Sequence, residues 1–298
     1  MWRGKAGLQF FRIHAALFAV ATLFSINYII SKVAMHSFAP LSFAWLRVAG
    51  SAIVLNAVVP GRGFTRADSW RIAGFAVLGI FLNQTMFLAG LARTSAHVAA
   101  ILITAIPVFA LVVAIALGYE RATTAKIGGI ALACAGALLV IGGEGIEGVT
   151  DALAGTLLLT GNCLVYAMYL VLSKPVMERL SPARVISRMF AVGAVLMLPV
   201  SLPSLLREDW WAIPRSAWIA LLLVIVGPTV AAYLLNAWTL RHAESSLVAA
   251  YTYVQPVLTA ILAWAFLHEQ IRGVVALAGL MIFVGVALAG RAAGPIAE

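Results

Sequence analysis

The side chains of this chain that could bind a small molecule are mostly uncharged and lie inside long apolar runs. Asn27, Asn83, Gln84, Asn162, Tyr166, Tyr251 and Gln255 carry amide and phenol groups in stretches otherwise made of Ala, Leu, Ile, Val and Phe. Such groups suit a pocket with apolar walls and a few convergent hydrogen-bonding positions. Asn162 and Tyr166 are four apart, as are Tyr251 and Gln255, so on a helix each pair shares a face. Reactive constellations are absent from the sequence: there is no His-Glu-x-x-His, no Gly-x-Ser-x-Gly, no Cys-x-x-Cys and no pair of carboxylates within an apolar run. An enzyme, a cofactor and a metal site are therefore not expected. His14, His36, His97, His242 and His268 all fall near the ends of apolar runs, where an interfacial role is the default.

The elements that must position these groups are revealed by a duplication. Between Arg93 and Glu120 the chain carries no formal charge and has Pro107 near its middle; between Glu244 and Glu269 the same design returns with Pro256. One offset lays Pro107 on Pro256 and Glu120 on Glu269, a match that apolar composition alone does not produce. A proline inside a helix removes a donor and frees the carbonyl four residues earlier, here those of Ile103 and Thr252. In lipid such a carbonyl needs a partner or a wet cavity, so Pro107 and Pro256 are candidate hinges beside a central chamber. The copies differ just before the proline. Leu102, Ile103, Thr104 and Ile106 become Tyr251, Thr252, Tyr253 and Gln255, which assigns more of the chamber's polarity to the second half.

Composition fixes the class. The 298 residues are 63% hydrophobic and 10% charged, with a mean hydropathy of +1.03, values of a polytopic membrane protein and not of a water-soluble domain. The net charge of +9 is scattered in short clusters with no continuous basic face, so nucleic acid is not an expected partner. Cys134 and Cys163 both lie within apolar runs and imply no disulfide framework. Ten spans are expected, near 13–33, 40–59, 70–91, 95–118, 123–142, 152–173, 183–206, 216–239, 245–267 and 271–290. An odd five per half inserts the second copy upside down. The expected fold is thus all-α, ten transmembrane helices in two inverted five-helix repeats, 1–143 and 152–298, joined by a Gly- and Glu-rich linker at 144–151. With a cytoplasmic N-terminus, fourteen Lys and Arg residues fall on the inner side and four, Arg93, Arg207, Arg215 and Arg272, on the outer side. That asymmetry places both termini in the cytoplasm.

Two cations stand apart from the loops. Lys32 ends the first span and by default snorkels to the interface. Arg47 lies well inside the second span and should find a carboxylate, carbonyls or water; structural or gating roles are assigned to both. Ser173-Lys174 and Pro182 echo Ser31-Lys32 and Pro40, with Arg188 at nearly the place of Arg47. Gly129, Ala133, Ala137 and Gly285, Ala289 are spaced by four, marking the fifth and tenth helices as scaffold or dimer contacts, so a homodimer stays open.

In the order of these features (Ser31-Lys32, Pro40, Arg47, Pro107 and Glu120, then Ser173-Lys174, Pro182, Pro256 and Glu269) the chain resembles the EamA family of the drug/metabolite transporter superfamily over essentially its whole length. The resemblance is nearest to the bacterial aromatic amino-acid exporter type. It implies a multi-pass inner-membrane exporter of small metabolites, often amino acids, with a chamber framed by helices 1, 3, 4, 6, 8 and 9 and helices that bend at the two prolines. The small multidrug members of the superfamily carry a glutamate in helix 1; this chain has none. With no membrane-embedded carboxylate, facilitated movement or exchange is expected over proton antiport. The alternatives are a nucleotide-sugar or sugar-phosphate carrier, which would need several cations facing the chamber, and a non-transporting membrane scaffold.

Overall fold

The structure is a computed structural model that describes residues 2–60, 62–119, 123–143, 149–242, 251, 254–270 and 273–291. Glu120, Arg121, Glu244, Thr252, Tyr253, Arg272 and the linker's 144–148 lie outside the described residues. Within them the chain is helical: α1 Trp2–Ala34, α2 Pro40–Val58, α3 Arg66–Ala76, a π-helical turn Val77–Leu82, α4 Asn83–Arg93, α5 Ala96–Ile103, α6 Ile106–Ala116 and α7 Thr124–Gly143 make the first half. The second half comprises α8 Val149–Arg179, α9 Pro182–Arg207, α10 Arg215–Val224, a second π-helical turn Ile225–Ala231, α11 Ala232–His242, α12 Val254–Leu267 and α13 Gly273–Arg291. Seven of the described helical stretches are long and apolar enough to cross a bilayer, and Thr124–Gly136, Val254–Leu267 and Gly273–Gly285 are shorter apolar helices. They coincide with the ten expected spans, arranged as two inverted five-helix repeats.

The contacts between the halves come in reciprocal pairs. α1 packs on α12 as α8 packs on α6, and α1 meets α11 as α8 meets α4. α2 lies against the second π turn while α9 lies against the first. α2 with α9 and α7 with α13 are the pairs formed by equivalent elements. The offset that lays Pro107 on Pro256 also lays one π turn on the other to within a residue. π turns are rare and tend to mark functional positions, because each widens the helix and turns a side chain to a new direction.

Large apolar side chains such as Ile53, Val195, Leu206 and Phe266 point outward, as a lipid-facing surface requires. The core runs between the halves and includes Tyr28, Phe43, Phe87, Leu102, Tyr169 and Phe190. A second small core of Ala105, Val108, Ala133 and Ile282 seats α7 and α13. Their small residues serve this contact within one chain: a Cβ on Gly285 would stand 2.5 Å from the Gly129 carbonyl oxygen and 2.7 Å from Ala133 N. The side chains of Ala137 and Ala289 are outside the described set.

Candidate functional site

At one end of the bundle, three helix ends from different parts of the chain converge on Glu269. α12 stops at Leu267, and His268 takes a left-handed conformation (φ 54°). The next N–H, that of Glu269, returns to the Ala263 carbonyl at 3.2 Å. This bond, reaching six residues back, closes the end of the helix, and the Glu269 side chain returns to the bundle. Glu269 Oε1 accepts from Ala96 N at 2.9 Å and Oε2 from His97 N at 3.3 Å. These are orphan donors at the start of α5, where Ser95 makes no side-chain cap, so a carboxylate from the other repeat caps the helix. His97 Nδ1 lies 2.7 Å from Oε2, which places the ring proton on that nitrogen when the carboxylate is ionised. Lys32 Nζ stands 3.4 Å from Oε1 and also donates to the Thr94 carbonyl. Burial acts to raise the carboxyl pKa, but the His97 hydrogen bond, the Ala96 N–H, the Lys32 charge and the His97 N–H together outweigh it and hold Glu269 at about 2. A cleft of about 430 Å³ opens beside this cluster, lined by Lys32, Arg93, Thr94, His97 and Glu269 among others.

A second cross-repeat cap lies at the same end. Glu208, just beyond α9, accepts from Ala39 N at the start of α2 at 3.1 and 3.4 Å. Two glutamates of the second repeat thus hold two helix starts of the first. At the opposite end, Arg179 closing α8 pairs with Asp68 in the first turn of α3, whose other oxygen accepts from Thr65 at 2.8 Å. Both ends are therefore tied across the repeats. His97 is buried in the first of these ties, which corrects the expectation of an interfacial histidine. Lys32 is engaged there too, where snorkelling was its default.

The expected ligand-binding residues fall into three groups. Asn83, Gln84 and Asn162 form one: Asn162 Nδ2 donates to the Asn83 carbonyl at 2.7 Å and Gln84 Nε2 to Asn83 Oδ1 at 3.0 Å. Asn162 Oδ1 and Gln84 Oε1 stay buried without a protein partner. Asn27 belongs with α1, where its Oδ1 accepts from Ser31 at 3.2 Å. Beside it, Tyr28 meets Phe87 edge to face at 5.5 Å. Tyr251 and Gln255 face α1 as well: Tyr251 Oη is 2.7 Å from His14 Nδ1, and the Gln255 carbonyl accepts from Ser25 at 3.2 Å.

Tyr166 joins a third, aromatic group that sequence spacing did not disclose. Its ring lies 5.4 Å from that of Tyr169 one turn on, and both hydroxyls are within electrostatic range of Tyr233 on α11. Tyr233 stands edge-on to Phe190 at 5.4 Å and to Phe24 at 6.2 Å. It is also within electrostatic range of Arg47. Arg47, 3% exposed, donates from Nε to Thr229 Oγ1 at 3.0 Å. Thr229 sits in the second π turn and gives its own proton to the Val224 carbonyl, five residues back, at 2.8 Å. Of the carboxylate, carbonyls or water expected for Arg47, neither a carboxylate nor a carbonyl is bonded to it among the described residues, and its Nη1 has no protein partner.

Pro107 lies at a real break. α5 ends at Ile103, Thr104 and Ala105 bond back to the Ile101 and Leu102 carbonyls, and α6 resumes at Ile106. Pro256 is buried in the first turn of α12, whose preceding residues Thr252 and Tyr253 are not described.

Comparison with known proteins agrees with this architecture. Residues 12–142 and 153–291 each match the model of the EamA-like transporter family. An uncharacterized transporter of Archaeoglobus fulgidus is 25% identical over 93% of this chain and 96% of its own. The uncharacterized inner membrane transporter YedA of Escherichia coli is 24% identical over 92% and 90%, and the uncharacterized transporter YyaM of Bacillus subtilis 24% over 94% and 95%. A solved crystal structure superposes with a TM-score of 0.63 over 97% of this chain and 99% of that one; at 18% identity the likeness is one of fold.

Proposed function

Because the chain belongs to the EamA-like transporter family, we propose that it exports amino acids or related small amphipathic metabolites across a bacterial inner membrane by alternating access, with both termini cytoplasmic. It is a multi-pass membrane transporter; the substrate, the direction and the mechanism are the proposal. The observation that carries the reading is the convergence on Glu269. Lys32 and His97 of the first repeat and Glu269 of the second seal the end that the charge asymmetry puts outside. Inside, Arg47, Asn83, Gln84 and Asn162 are each at most 7% exposed, whereas Tyr166 and Tyr233 are partly exposed. Buried amides between two halves whose ends are tied by breakable ion pairs suit a carrier that alternates access.

The carboxylate that seals the end is a poor proton carrier. A group held at about 2 stays ionised throughout the physiological range. Facilitated movement or exchange is accordingly the proposed mode. Counterflow of labelled amino acids into liposomes containing the purified protein tests the substrate class. Uptake competed by amino acids and indifferent to UDP-sugars is expected; competition by UDP-sugars alone would favour a nucleotide-sugar carrier, and inert vesicles with intact protein a scaffold.

A further inference from the structure

Arg47 is a buried charge that the duplicated frame does not need. The offset that lays Pro40 on Pro182 lays Arg47 on Met189, not on Arg188, which is exposed. Met189 is fully buried against the first π turn, its Cε within 3.1 Å of a Cβ placed on Gly79. Arg47 docks in the same way on the second π turn, through Thr229. The same helix crossing is thus built twice, once with an apolar side chain and once with a guanidinium. In the first case the side chain is buried without any polar atom to satisfy; in the second Nη1 is left without a partner.

A buried charge with no counter-charge costs several kcal/mol, and an apolar residue of similar volume in its place is often neutral or stabilising. The Met189 crossing shows that this fold accepts that replacement. Among the described residues no carboxylate meets Arg47, which leaves its Nη1 open to an anion from outside. Its surroundings define the rest of the visitor: Tyr233 is one turn beyond Thr229 and edge-on to Phe190 at 5.4 Å, with the stacked Tyr166–Tyr169 pair in electrostatic range of it. A single guanidinium balances one negative charge, and Lys32, the other cation set apart from the loops, is held by Glu269. A monoanion therefore fits better than a phosphate dianion.

Building on the transporter reading, we propose that Arg47 receives the carboxylate of the transported substrate through Nη1, with Tyr166, Tyr169 and Tyr233 as the wall for an apolar or aromatic body. The ligand class is a monocarboxylate, whether or not it also carries an amino group.

The test compares acids with their neutral isosteres. Purified protein in detergent is titrated with L-phenylalanine, 3-phenylpropionate, their carboxamides and phenyl phosphate, and binding is read as thermal stabilisation. At least one carboxylate is expected to bind more than about tenfold tighter than its carboxamide, a ratio worth about 1.4 kcal/mol. R47M should remove that preference while melting no lower than the unmutated protein in the absence of ligand. R47K should keep part of the preference. A carboxamide binding as well as its acid, a preference that survives R47M, tighter binding of phenyl phosphate than of the acids, or no stabilisation by any acid would each overturn the proposal. If R47M does not fold, the acid-to-amide comparison on the unmutated protein decides alone. Liposome exchange separates this proposal from the reading beneath it. Exchange of 3-phenylpropionate without exchange of amino acids overturns amino-acid export and supports the role of Arg47. Amino-acid exchange whose acid preference is unchanged in R47M does the reverse.

Discussion

Glu269 satisfies the first N–H groups of α5, a histidine ring and a lysine at once, and hydrogen bonds to an ionised group are worth about 1.5–3 kcal/mol each where water is excluded. E269Q keeps one acceptor but loses the charge. It should shift the balance toward an open outer end by about tenfold, or about 1.4 kcal/mol. Labelling of S95C by a membrane-impermeant maleimide, in a background with Cys134 and Cys163 replaced, would report this as a similar rise in rate; an unchanged rate would remove the gate. The sign with pH follows from the depressed carboxyl. Its contribution to closure is complete above the ordinary carboxylate range and is lost only as pH falls toward about 2. His268 is the one described non-glycine residue with positive φ, and it sits where the chain must turn to aim Glu269. H268G should leave the cluster intact and raise thermal stability by up to about 1 kcal/mol, since glycine adopts that conformation without the Cβ clash.

Packing of elements against each other rests on close approaches that a single methyl would disturb. G285A would put a Cβ against the Gly129 carbonyl and Ala133 backbone of α7, atoms that cannot swing aside. Separation of α7 from α13 should cost about 1–3 kcal/mol and be seen as a lower melting temperature in detergent, with ligand binding at the chamber unaltered. The break at Thr104–Ala105 bears on motion. P107A restores a donor there and should favour a continuous helix through residues 103–106, slowing exchange severalfold while membrane insertion is retained. Unchanged exchange in P107A would remove the hinge role of that proline. The matched π turns are a second place where each repeat can yield, apart from Pro107 and Pro256. The first contains no proline, and Pro228 lies within the second.

The two repeats act on one another through reciprocal contacts, so movement of one half must be answered by the other. Closing one end with Lys32, His97 and Glu269 and the other with Asp68 and Arg179 gives the protein two separate latches. Neither latch offers a carboxyl that exchanges protons with water in the observed state: Glu269 is held ionised, and Asp68 is covered and ion-paired. Collapse of an imposed pH gradient should therefore leave counterflow in liposomes unaltered. Strict dependence of flux on that gradient would overturn the uncoupled mechanism.

Membrane class, ten helices and a doubled frame were legible in the sequence because each is written in local quantities: the length of an apolar run, the spacing of proline and glutamate, the side on which cations gather. Asn162, Tyr166 and the unusual Arg47 stand out in the sequence for the same reason, as polar groups where lipid-compatible residues are the rule, but the structure places Asn162 and Tyr166 in different groups. Partners were not. Glu269 meets Ala96 and His97 from the other repeat, and Phe24 of α1 meets Tyr233 on α11, because two inverted halves interlock; no local pattern encodes which helices will touch. The π turns were hidden as well, since an extra residue in a helical turn changes register without changing composition. The offset puts Met189 at the place of Arg47 and Arg188 beside it, but only the structure buries Met189 and exposes Arg188: the chain fixes where a charge occurs, and packing of the second half against the first fixes whether it is buried.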